Sequence, residues 1–170
     1  MWRHTAGWIL PLILPLILLT LVGGGCTEAP IDVEGLYTIA LTNRENGCNF
    51  NDWQEGTTST GVQVTVTQSS ASAWAFVGGA SGVWLNVTLG SQEYSGSVNG
   101  NDVHMTLYGT RSTTVAGCTW TINSVMDGTL TGDTLSGDIR YTPSTNGSPD
   151  CATIEGCVTR QEFNGVRAPR

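Results

Sequence analysis

The sequence predicts an all-β fold: an antiparallel up-and-down meander closing into a small barrel of eight or nine strands. Three observations predict it. Apolar residues recur with period two, turn-forming clusters separate the alternating runs, and no segment after Cys26 keeps the i, i+3, i+4, i+7 apolar spacing of an amphipathic helix over three turns. Short strands so punctuated, with no helices between them, pair as antiparallel sheet. A long meander has two exposed edges unless it closes on itself, which an up-and-down barrel does. A two-sheet sandwich is the alternative architecture.

Taken in order, Tyr37, Ile39 and Leu41 alternate with polar or small residues and predict a first strand over about 36–42. Val62, Val64 and Val66 alternate with Gln63, Thr65 and Thr67 and predict the next, over about 62–68, followed by one over 73–77. Val83, Leu85, Val87 and Leu89 alternate with Trp84, Asn86 and Thr88, which predicts a strand over 83–89 and another over 92–98. Val103, Met105 and Leu107 alternate with His104, Thr106 and Tyr108, giving a strand over 103–109. The remaining strands fall over 118–126, 134–142 and 158–163. Val and Thr dominate these runs, and β-branched side chains suit a pleated, half-buried surface. Residues 77–82, 90–91, 99–102 and 131–133 are turns, rich in residues that tolerate positive φ. The pattern Gly-[Ser/Thr]-[Val/Leu]-x-Gly-[Asn/Asp]-x-[Val/Leu] occurs at 96–103 and again at 128–135. Each copy brings one strand to a tight glycine turn and starts the next, so sequential strands pair.

If one alternation face points inward, it carries Tyr37, Ile39 and Leu41; Val62, Val64 and Val66; Trp74 and Phe76; Val83, Leu85, Val87 and Leu89; Tyr94 and Val98; Val103, Met105 and Leu107; Trp120 and Ile122; and Leu135, Ile139 and Tyr141. An eight-stranded barrel is either filled by its own side chains or holds one small ligand. So many large residues predict a filled core. Gly96 and Gly137 fall in the inward register, where they leave space or serve barrel bends. Gly35, Leu36 and Tyr37 open the first strand and Arg160 lies in the last. These two spots resemble calycin barrels such as lipocalins and avidins, which begin with Gly-x-Trp; in lipocalins a late Arg packs on that ring. The resemblance implies a barrel with Tyr37 and Arg160 in those places.

The chain has 170 residues, only 12% of them charged, about half the usual share, and no Lys. That composition excludes a charged coiled coil and a polyelectrolyte disordered tail. Fourteen acids against seven Arg argue against nucleic acid as a partner, since phosphate-backbone binding needs a basic patch.

The front of the chain reads as an address. Arg3 and His4 precede the 14-residue apolar run Ile9–Val22. It is too short to span a bilayer core, which takes about 20 residues, and Pro11 and Pro15 interrupt it as a helix. Residues 1–25 therefore read as a secretory signal peptide. Gly23, Gly24 and Gly25 then lead directly into Cys26. This resembles the lipobox of bacterial lipoproteins, with Gly23 where that motif prefers Leu. The resemblance implies cleavage before Cys26 and acylation of its sulfur and new amino group. It further implies membrane attachment at the cell envelope, in the outer membrane since Thr27 rather than Asp follows the Cys. Residues 26–34 would be the lipidated Cys and its tether, 35–166 the barrel, and 167–170 a short C-terminal tail.

With Cys26 lipidated, four cysteines remain, Cys48, Cys118, Cys151 and Cys157, enough for two disulfides in an oxidising compartment. Of three connectivities, closeness in sequence favours Cys151–Cys157, leaving Cys48–Cys118. No C-x-x-C spacing exists and the processed chain has one His, His104, so no metal is expected.

No cofactor or catalytic motif is legible. His104 is the single candidate general base, and neither G-x-S-x-G nor a phosphate loop is present. The expectation is a non-catalytic binding or interaction module taking a small apolar molecule or an envelope protein partner. A structural coat lipoprotein and a carboxylate-based hydrolase are the alternatives. Trp53, in the long 43–60 connection, and Trp84, His104 and Tyr108, on the outward alternation face, are the candidate contacts.

Overall fold

The computed structural model describes residues 28–170. The predicted signal peptide and Cys26 lie outside the described residues. The strands are β1 (Gly35–Asn46), β2 (Thr58–Ser69), β3 (Ser72–Val77), β4 (Glu93–Asn99), β5 (Asp102–Leu107), β6 (Thr113–Val115), β7 (Cys118–Thr131), β8 (Thr134–Thr145) and β9 (Thr159–Arg167). A helix, α1 (Gly79–Thr88), joins β3 to β4. The strands pair antiparallel in sequence order, β9 pairs with β1, and β5 pairs with β7. That last pairing closes an eight-stranded ring and rules out the sandwich. Short β6 lies outside the ring on the upper end of β7.

The repeated glycine pattern does what its chemistry requires. Gly100 and Gly132, with φ of +55° and +60°, turn β4 into β5 and β7 into β8. Gly96 and Gly137 serve bends rather than space. A Cβ on Gly137 would meet the Asp127 carbonyl oxygen at 2.0 Å, and one on Gly96 the His104 oxygen at 1.9 Å. Backbones approach there so closely that no side chain fits.

Two stretches depart from the sequence reading. The strand expected over 83–89 is instead the end of helix α1, which runs to Thr88 with Leu89 as its C-cap. Gly82, Leu85 and Leu89 turn inward at helical spacing, while Val83 and Val87 are exposed. Hairpin pairing of β3 with β4 leaves no free edge for a further strand between them, and the β-branched composition that suggested one is overridden. The second departure is the facing of β3. A two-residue turn pairs Ser69 with Ser72, which places Ala75 opposite Val66 and Trp74 opposite Thr67. Ala73, Ala75 and Val77 therefore face inward, and Trp74 and Phe76 stand outside. A one-residue change of register moves every side chain to the other face.

The tight hairpins lie at one end, the base, and the base is closed. Residues 28–34 are not a free tether. The Ile31 amide bonds the Gly100 carbonyl at 3.1 Å, the Gln68 side chain bonds both Ile31 and Val33, and Val33 is buried in the core. Nor is the C-terminus free: Ala168 bonds Leu36, and Arg170 bonds Asp32, holding that carboxyl down to about 2. Arg160 pairs with Asp138 on the outer wall, so the arginine beside Tyr37 is Arg167, its register partner on β9. The Arg167 guanidinium donates to the Asp32 carbonyl at 2.8 Å, the Glu34 carbonyl at 3.3 Å and the Asp133 carboxylate at 2.8 Å. Arg167→Ala is expected to cost about 1 kcal/mol, because it removes these bonds at the base while water takes up the exposed acceptors. A urea midpoint equal to that of the parent protein would contradict this.

Candidate functional site: the barrel mouth

The opposite end carries the long connections: residues 47–57 between β1 and β2, 78–92 with α1, 108–117 with β6, and 146–158 between β8 and β9. Both disulfides sit here. Cys48 bonds Cys157 and Cys118 bonds Cys151, so the expected pairing is corrected. Closeness in sequence misled because Cys151 and Cys157 share one loop, and each staples that loop to a different neighbour. The 47–57 loop and the start of β7 are thereby tied to the 146–158 loop.

Between these loops opens a cavity of about 420 Å³. The interior is thus not filled, contrary to the expectation, and the facing of β3 is the reason. With Trp74 and Phe76 outside, the wall made by β2 and β3 consists of Val62, Val64, Val66, Ala75 and Val77, side chains too short to fill the barrel. Ile39, Met126, Leu135, Ile139 and Phe163 complete an apolar chamber.

Above it lie two hydrogen-bonded polar sets. The Tyr94 hydroxyl meets the Ser124 hydroxyl at 2.8 Å. The Tyr141 hydroxyl donates to the Gln161 side-chain oxygen at 2.7 Å, and the Gln161 amide donates to Asn43 at 2.7 Å. Burial pushes the Tyr94 phenol up to about 12 and the Tyr141 phenol well above its ordinary range. Both are neutral at any physiological pH.

Linkage fixes the consequence. At high pH the folded state holds protons that the unfolded state has released, so stability is flat to about pH 10 and falls as pH rises toward 12. Urea midpoints at pH 8 and pH 11.5 measure this. Equal midpoints would contradict the buried placement of these phenols.

The rim is aromatic. Phe50, Trp53 and Tyr141 meet edge to face with centroids 6.0–6.2 Å apart, and the Trp53 indole N–H donates to the Arg44 carbonyl at 2.9 Å. Trp84 borders the opening from α1. Two of the four candidate contacts, Trp53 and Trp84, are therefore brought to one site. His104 and Tyr108 are not. His104 lies on the outer wall against Asp127, which also takes Arg140, and Tyr108 is exposed beyond the end of β5. Sequence reasoning missed Phe50, Asn43 and Gln161 as lining residues. Strand alternation offers a signal for the last two, since Asn43 follows Leu41 by two residues and Gln161 precedes Phe163 by two. Comparison with protein-family models, curated proteins and solved structures finds no match for this chain.

Proposed function

We propose that this chain is an exported, lipid-anchored, non-catalytic binding module of the bacterial cell envelope, taking a small apolar molecule into the mouth of its barrel. The observation that carries the reading is the open apolar cavity with an aromatic rim. Its volume falls within the range of small-molecule sites, about 300–1,000 Å³. A coat protein has no use for such a cavity, and the single His of the processed chain stands outside it.

The anchoring half of the proposal rests on the run of small residues before Cys26 and on the base. Residues 28–34 lie under the closed end. A lipid on Cys26 would hold that end toward the bilayer and leave the mouth open on the far side.

Two measurements test the reading. The processed protein is expected to bind the neutral apolar dye N-phenyl-1-naphthylamine with micromolar affinity, quenching Trp53 and Trp84 emission. No saturable change would overturn the binding assignment. Cys26→Ala is expected to release the protein from membranes or to trap the uncleaved precursor, and normal membrane fractionation at normal processed mass would overturn the anchor.

A further inference from the structure

The cavity also carries information about the charge and shape of what it takes. Its deeper polar groups lie on the side of the mouth. Asn43 pairs with Gln161 across β1 and β9, and the Tyr141 hydroxyl donates to Gln161. Toward the base the inward residues on the same strands are apolar: Ile39 and Leu41 on β1, Ile139 and Leu135 on β8, Phe163 on β9. The site is therefore a belt of hydroxyls and amides above an apolar floor.

The belt is not exhausted by its own bonds. Gln161 has a second amide hydrogen, and the side-chain oxygens of Gln161 and Asn43, which each accept one bond, keep a lone pair. Both donor and acceptor capacity remain for a ligand. Charge does not. Among the described lining residues the one charged side chain is Asp52, exposed at the rim, where it repels anions and where solvent screens its attraction for a cation. Burying an unpaired ionic head costs far more than hydrogen bonds recover.

We infer that the ligand is an uncharged amphiphile: an apolar chain or small ring system bearing a single neutral hydrogen-bonding head, such as an alcohol or amide. The head sits at the belt and the body on the floor. A volume of about 420 Å³ lies within the range of small-molecule sites, about 300–1,000 Å³. This inference rests on the binding reading above, and its test separates the two.

The experiment uses the processed protein with N-phenyl-1-naphthylamine as reporter and three competitors of equal chain length: decanol, decanoate and decylamine, at pH 7.5 and below their micellar concentrations. Decanol is expected to displace the dye at least tenfold more tightly than either ion. At pH 4, where decanoic acid is largely neutral, its affinity is expected to rise toward that of decanol. Gln161→Leu, which keeps the side-chain volume and removes the amide, is expected to weaken decanol at least fivefold while leaving naphthalene unchanged. Decanoate or decylamine binding as tightly as decanol at pH 7.5 would overturn the neutral-head assignment and leave the binding reading standing. Equal affinity of decanol for Gln161→Leu and the parent would overturn the belt as the head's seat. Failure of the dye itself to bind would overturn both.

Discussion

Ala75→Phe is expected to abolish dye binding while leaving the barrel folded. Ala75 lies on the inner face of β3, opposite Val66 and Tyr94, with its methyl on the cavity wall. A Phe ring placed there enters the space that the outward facing of Trp74 and Phe76 leaves empty. Affinity for N-phenyl-1-naphthylamine is expected to fall by at least 30-fold. Stability is expected to rise by about 1 kcal/mol, the usual gain when a void receives apolar atoms without strain. Titration by intrinsic fluorescence and urea unfolding check the two halves. Undiminished dye affinity in a folded Ala75→Phe protein would place the site somewhere other than this cavity. Ala75→Leu, a smaller intrusion, is expected to give an intermediate loss, which guards against a Phe variant that fails to pack.

The second large effect concerns the staple between Cys48 and Cys157. These residues are 109 apart in sequence, so their bond restricts the unfolded chain over most of its length. Loop-closure entropy for a ring of that size is worth about 5 kcal/mol. Cys48→Ala combined with Cys157→Ala is expected to lower the melting temperature by roughly 10–15 °C, and calorimetry measures it. The Cys118–Cys151 bond closes 33 residues, and its removal is expected to cost somewhat less. The consequence for the mouth is separate from stability. Loop 47–57 brings Phe50 and Trp53 to the rim, and without the tie to the 146–158 loop it is expected to move, weakening ligand before the barrel melts. A double variant with unchanged melting temperature would deny the bond a stabilising role.

Much of the wall could be read from residue order. Alternation on β1, β2, β5 and β8 has the facing that the structure has, because on each of those strands the larger apolar side chains concentrate in one row. On β3 the two rows are Ala73, Ala75 and Val77 against Trp74 and Phe76, and hydrophobicity favours the wrong one. The two-residue turn at Ser70 and Ala71 decides the matter, since it carries the inward row of β2 directly across to Ala75. The helix at 79–88 was hidden by a run that satisfies both periods. Val83, Leu85, Val87 and Leu89 alternate, yet Gly82, Leu85 and Leu89 also share a helical face. Trp53 and Trp84 were identifiable as aromatic residues in the right kind of place, but nothing local joins a residue in one loop to a residue in another.

Residue order alone determined the all-β meander, the glycine turns that join its strands and the availability of four cysteines for bonding, because period-two patterning and turn chemistry act over a few neighbouring residues. Only the tertiary structure decided which cysteines meet, which face of β3 turns inward and, through that facing, that the barrel is open rather than filled. Those outcomes depend on pairing across the ring, where the register inherited from one hairpin outweighs the preference of any single side chain.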